Sequence, residues 1–213
     1  MKTALIVGAT GLIGKQLLQL LLDDGYYEKV KAITRKPLEI SHPKLENLVL
    51  DFDKLNEHYS DLKSDDVFCC LGTTIRIAKT KEAFRKVDFD YPVELGRLAK
   101  NHGASQYFLI SALGADRNSS IFYNKVKGEA EEAIQQLSFH SLHIFRPSLL
   151  LGDRQEQRAG EGAATVFFKL FGFLIPVKYK AIDSAKVARA MLHRAKMNTP
   201  GFHIIESKEL QKF

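Results

Sequence analysis

Cysteine is nearly absent from this 213-residue chain, and the two present, Cys69 and Cys70, are adjacent. Neighbouring thiols make a poor disulfide framework, which points to a reducing compartment and a fold that holds without staples. Long hydrophobic runs are missing too. The longest, Thr165 to Val177, carries Lys169 and is too short to span a bilayer. The N-terminal apolar stretch runs straight into glycines with no cleavage-type region, so it does not read as a signal peptide. A cytoplasmic location is the expectation. The seven histidines show no metal-ligand spacing, His140 and His143 being nearest to one and better read as structural. No carboxylate pair has a context that suggests hydrolysis. No repeat, low-complexity segment or linker divides the chain. One domain over residues 1–213 is expected, with 151–182 as a loop and helix on its substrate side.

The chain has an ordinary apolar content of 45 % and a formal net charge of +6. The basic residues are interleaved with acids instead of clustered, which argues against a nucleic-acid binder and leaves part of the charge for an anionic small molecule. Short apolar runs alternate with helical patterns. Strands are expected at 3–7, 29–34, 47–50, 67–71, 106–111, 142–145 and 202–205. Helices are expected at 13–22, 80–101 with a break before Tyr91-Pro92, 120–137, 163–173 and 184–196. That alternation implies a doubly wound α/β fold, a parallel sheet covered by helices on both faces. Residues 152–162 are polar and read as a loop; the Phe-rich stripe after them reads first as core, otherwise as a lid or a dimer surface.

Gly8-Ala9-Thr10-Gly11-Leu12-Ile13-Gly14 lies between the first strand and the first helix. Gly8 permits the sharp turn, Gly11 lets backbone approach a pyrophosphate, and Gly14 lets the helix pack on the sheet. The free N–H groups of the helix start favour phosphate. Dinucleotide binders that prefer NAD carry an acid about 20 residues further on. Here that position is Thr34, followed by Arg35 and Lys36. Arg35 can fork onto a 2′-phosphate, so NADPH or NADP is the expected cofactor. Asp51, after the third strand, is expected near the adenine end.

A Tyr with a Lys four residues on shares a helix face with it, and the ammonium favours the phenolate, suiting the hydroxyl to proton transfer. The spacing occurs three times, at Tyr27/Lys31, Tyr59/Lys63 and Tyr123/Lys127. Tyr27 enters a strand, and Tyr59 precedes the fourth strand. Only Tyr123 lies on the helix after the fifth strand, whose end carries Ser111. The expected roles are proton donor for Tyr123, a group that tunes it and reaches the nicotinamide ribose for Lys127, and a carbonyl-orienting donor for Ser111.

These residues resemble the atypical branch of the short-chain dehydrogenase/reductase superfamily. Phe68-Cys69-Cys70-Leu71-Gly72-Thr73-Thr74, Val87-Asp88-Phe89-Asp90-Tyr91, Gly114-Ala115-Asp116, Lys127-Gly128-Glu129, Phe145-Arg146-Pro147 and Asp153-Arg154-Gln155-Glu156 with Arg158 resemble more closely the NADPH-binding Tat-interacting-protein family. The likeness runs over roughly residues 3–194. It implies a Rossmann fold, NADPH binding and a Ser–Tyr–Lys site, but no substrate. It brings Leu71, Gly72, Thr73 and Thr74 to the cofactor's ribose and phosphates. The full expected cofactor set is Gly8, Ala9, Thr10, Gly11, Leu12, Ile13, Gly14, Thr34, Arg35, Lys36, Asp51, Phe52, Leu71 to Thr74, Tyr123, Lys127, Arg146 and Pro147. One departure stands out. Ala112-Leu113 follows Ser111 where relatives often carry a second serine or a lysine, leaving Ser111 the only hydroxyl there. Two functions are expected to compete: carbonyl reduction (or alcohol oxidation) on an unspecified small molecule, and NADPH sensing without turnover, with a homodimer or a protein partner.

Overall fold

The computed structural model describes residues 2–151 and 176–213. β1 (Lys2–Val7) leads into α1 (Leu12–Asp23), then β2 (Tyr27–Thr34) and β3 (Leu45–Val49). β4 (Asp66–Cys69) is followed by two short helices, α2 (Ile75–Ala78) and α3 (Lys81–Arg85). A π-helical turn at Lys86–Asp90 joins α3 to α4 (Tyr91–Asn101). β5 (Gln106–Ile110), α5 (Phe122–Gln135) and β6 (Ser141–Arg146) come next. The short strands β7 (Leu150–Leu151) and β8 (Ile182–Asp183) pair with each other beside the main sheet. α6 (Ser184–Met197), β9 (Gly201–Glu206) and α7 (Ser207–Leu210) close the chain.

The main sheet has seven strands in the order β3-β2-β1-β4-β5-β6-β9. Every pairing in it is parallel. This is the Rossmann-type arrangement expected from the strand–helix alternation, and the seven strands are those read from the apolar runs. The runs are continuous because both faces are covered. On one face Ala4, Ile6, Phe68 and Phe108 pack with Leu17, Leu21, Val187 and Met191 of α1 and α6. On the other, Leu5, Val7, Cys69, Tyr107 and Leu109 pack with Leu95, Leu98 and Ile134 of α4 and α5. Each fully buried large apolar side chain contributes about 1.5–3 kcal/mol.

Several boundaries differ from the sequence expectation. β4 stops at Cys69, so Leu71 lies in the following loop. A strand ends where its partner does: Val7 pairs with Cys69, and Gly8 then turns away. The helix expected at 80–101 is broken by the π turn before Tyr91-Pro92, where the break was expected. A 3₁₀ segment at Phe52–Leu62 had no clear periodic signal. The helix expected at 163–173 and the Asp153–Arg158 motif lie outside the described residues.

At the N-terminal ends of the strands, Asp66 is buried and accepts from the Tyr27 hydroxyl at 2.7 Å, from Lys2 and from Gln106. This network ties β1, β2, β4 and β5 together at the sheet end away from the glycine turn. His143 lies inside β6, stacked on Phe108 and on His203, with Nε2 bonded to the Ser141 hydroxyl at 2.8 Å. Burial, then the neighbouring His203 and Arg194, pull its pKa down to about 4. The unfolded chain therefore takes up a proton near pH 6.5 that the folded chain refuses until about pH 4. Stability should fall by roughly 1–2 kcal/mol across that window, after discounting for solvent screening. Urea unfolding at pH 7 and pH 4.5 checks this; a His143→Phe variant should lose that part of the pH dependence, and an unchanged slope would remove His143 as its cause.

Candidate functional site

The glycine turn has the geometry its composition suggested. Gly8 sits at φ +77°, and a Cβ there would meet the Cys70 carbonyl at 2.5 Å. A Cβ on Gly14 would collide with the Gly8 carbonyl, so only glycine lets α1 start this close to β1. Gly11 N–H closes the turn on Gly8 O at 3.0 Å. Gly11 then caps α1 in extended backbone with no side-chain hydrogen bond, leaving the first N–H groups of the helix open. Thr10 and Gly11 are exposed and Leu12 half-buried, while Ala9, Ile13 and Gly14 are buried, so the last three can serve a ligand by backbone alone.

At the end of β2, Thr34 is buried and shapes the next turn. Its hydroxyl donates to Lys36 O at 2.7 Å and accepts from Asn47 at 2.9 Å. Arg35 and Lys36 are exposed beyond it. Asp51 caps the 3₁₀ segment by accepting from Asp53 N–H at 3.0 Å. Phe52 is a core residue whose ring packs on Tyr91.

The loop after β4 meets α5 through an acid whose role the sequence does not reveal. Asp88, in the π turn, accepts from Thr73 N–H at 2.9 Å and lies 2.7 Å from Lys127 Nζ. Both side chains are buried. Gly72 stands over the pair: a Cβ there would lie 3.6 Å from Asp88 Oδ1 and 3.8 Å from Lys127 Nζ. Burial works against the Lys127 ammonium, but Asp88 outweighs it and holds its pKa above the ordinary lysine value. Lys127 also donates to Ile110 O at 3.3 Å. Thr74 uses its hydroxyl to cap α2. A π turn inside a helix is a frequent mark of a functional site, because the extra residue re-aims one side chain.

Tyr123 is half-buried one turn before Lys127 on α5, with its ring 5.5 Å from that of Phe84. The other two tyrosine–lysine spacings lie elsewhere. Tyr27 is buried at the start of β2 against Asp66, and Tyr59 stacks on His102 in the 3₁₀ segment. Gly128 brings α5 down onto the loop after Ser111, since a Cβ there would strike backbone at Asp116 and Arg117.

Ser111 directly follows β5, which ends at Ile110, one residue short of the strand expected from the sequence, and its hydroxyl does not stand free. It donates to Glu131 of α5. Arg146 pairs with the same carboxylate, and with Glu206 at 3.4 Å, instead of facing the glycine turn unpaired. Pro147 is buried and its carbonyl receives Leu113 N–H at 3.0 Å. Glu131 was missed although a signal existed: it follows Lys127 by four residues, on the same helical face. Cys69 and Cys70 point to opposite faces, and burial pushes both thiols up, as suits inert residues. Among the described residues no cluster of histidine, cysteine and acid could hold a metal.

The glycine cradle, the open helix start and the Thr73–Asp88–Lys127 junction follow one another along the C-terminal ends of β1, β4 and β5. Comparison with known proteins gives the family and the fold. A sequence model of the family described as NAD(P)H-binding matches residues 8–196. Protein HTATIP2 of Rattus norvegicus is 38% identical over 98% of this chain and 88% of its own length. Protein FMP52, mitochondrial, of Debaryomyces hansenii is 33% identical over 91% of this chain and 87% of its own. Among solved structures, the Bordetella bronchiseptica enzyme WbmH in complex with NAD+ superposes with a TM-score of 0.74 at 18% identity, covering 97% of this chain and 76% of that one. MoeE5 in complex with UDP-glucose and NAD gives 0.73 at 16%, covering 98% and 79%. At those identities the structural likeness speaks for the fold alone.

Proposed function

Given that the chain belongs to the NAD(P)H-binding family, on the branch that includes Protein HTATIP2, we propose that it is an NADPH-dependent oxidoreductase acting on a carbonyl or its alcohol. The observation that carries this reading is the buried Lys127–Asp88 pair one helical turn from Tyr123 and beside Gly72. A lysine held charged in the interior, next to a half-buried phenol, is suited to proton transfer and has little value as surface decoration. The glycine cradle fits a dinucleotide, because Gly8 and Gly14 permit the sharp turn and the close start of α1, and exposed Gly11 puts no side chain before the open α1 N–H groups.

When bound, the nicotinamide supplies or accepts the hydride. Tyr123 moves a proton to or from the substrate oxygen. Lys127 is offered to the ribose, while Asp88 fixes its position. Ser111 orients the substrate. Arg35 and Lys36 select the 2′-phosphate, with no acid at Thr34 to repel it. Two unbonded cysteines, Cys69 buried and Cys70 half-buried, fit a reducing compartment, the cytoplasm in this reading; the described residues include no helix long and apolar enough to cross a membrane. A second reading, NADPH sensing without turnover, draws support from the Ser111 proton being held by Glu131.

Calorimetric titration tests the cofactor choice. NADPH should bind far more tightly than NADH, and Arg35→Ala should lose about 1–3 kcal/mol for NADPH and little for NADH. Equal affinities for the two cofactors would sink the assignment. A turnover screen over many carbonyl compounds separates enzyme from sensor.

A further inference from the structure

Three hydrogen bonds beside the proposed catalytic pair converge on one carboxylate. Tyr123, Lys127 and Glu131 recur every four residues on one face of α5. Glu131 is only 5% exposed. Arg146 forks onto it, with Nε 3.0 Å from Oε1 and a second nitrogen on Oε2. A carboxylate held in such a fork can only accept, so the bond between Ser111 Oγ and Glu131 has one possible polarity: the serine donates. A hydroxyl owns one proton and two lone pairs. With its proton held by Glu131, Ser111 has only lone pairs to offer. Among the described residues no donor reaches them, although Ser111 is 4% exposed. Its neighbour Ile110 receives Lys127 Nζ, so the serine lies next to the pair that positions Tyr123.

A lone pair facing a carbonyl oxygen repels it, whereas a lone pair facing a hydroxyl binds it. We infer that Glu131 is a positioning residue that fixes Ser111 as a hydrogen-bond acceptor, and that the substrate class is a carbonyl compound with a hydroxyl on the adjacent carbon. The vicinal diol is its reduced partner. This rests on the oxidoreductase reading above. In the reduction, hydride from NADPH forms the new C–H bond at the carbonyl carbon and the cofactor is left as NADP+. The π pair of the carbonyl moves to oxygen, which takes the Tyr123 proton, and the phenolate regains a proton from solvent. The neighbouring hydroxyl keeps its own proton and donates it to Ser111 throughout. The Arg146 pairing is what lets the Glu131 charge stay buried while it holds the serine.

The test uses matched probes with NADPH: acetone and hydroxyacetone, cyclohexanone and 2-hydroxycyclohexanone, acetophenone and 2-hydroxyacetophenone. We expect the hydroxy ketone of a pair to be reduced with about tenfold higher kcat/KM, mostly through KM, as one buried hydrogen bond provides. Ser111→Ala and Glu131→Gln should each bring that ratio near one while NADPH affinity, measured by titration, is kept. If Glu131→Gln does not fold, Ser111→Ala decides alone, because it leaves the Glu131–Arg146 pair intact. Equal kcat/KM within the pairs, or a preference that survives Ser111→Ala, overturns this inference and leaves the oxidoreductase reading standing. If no probe turns over while NADPH binds normally, both fall.

Discussion

Replacing Tyr123 with phenylalanine should cut turnover by about 10²–10⁴-fold and leave NADPH affinity almost unchanged, the usual yield of a positioned acid–base group. The phenol is asked only to move a proton, and phenylalanine keeps the ring that packs against Phe84. Single-turnover absorbance at the reduced-nicotinamide band reads the chemistry, and titration reads the affinity. The two other tyrosines with the same spacing act as controls of different kinds. Tyr59→Phe should do little, since its ring stack with His102 survives. Tyr27→Phe should lower stability without touching the chemistry, because its hydroxyl serves the buried Asp66. A Tyr123→Phe protein with full activity on a genuine substrate excludes the mechanism.

Lys127→Met should destabilise the fold by about 3–5 kcal/mol, the size expected when one partner of a buried ion pair is removed. Asp88 would keep the Thr73 N–H bond but lose its only cation within 3 Å among the described residues. A second change, Asp88→Asn, should recover much of the loss, because no buried charge would then be left without a partner. Urea unfolding of the two single variants and the double variant forms the cycle. A loss below about 1 kcal/mol for Lys127→Met, or no recovery in the double variant, would show that the pair does not anchor the site. NADPH binding should weaken in Lys127→Met beyond what its stability explains, since the same ammonium is assigned to the ribose.

Much of the fold was legible in the chain. The strands stood out as short apolar runs because both sheet faces are covered, and the glycine turn stood out because the close backbone approaches at Gly8 and Gly14 demand glycine at fixed offsets. Edges were less legible. The apolar run at Val67 to Leu71 continues past the last ladder partner, so β4 looked longer than it is. Tyr91-Pro92 marks a break in the helix, but no local residue pattern says that the break is a π turn at 86–90.

At the site, the sequence by itself determined that Tyr123 and Lys127 share a face, since 3.6 residues per turn is a local property. It likewise determined that Arg35, not an acid, follows β2, and that Gly8, Gly11 and Gly14 frame a helix start. Only the tertiary structure decided what Lys127 and Ser111 are bonded to. Asp88 and Lys127 come from helices on either side of β5, and Glu131 and Arg146 from α5 and β6. Their pairing depends on which charges the closed core leaves without water, and that is fixed by how α5 packs against the π turn and the strand ends on one face of the sheet. A buried carboxylate must find donors, and the nearest ones are Ser111 and Arg146. That requirement, acting through space, gives the Ser111 proton to Glu131 instead of leaving it free for a substrate.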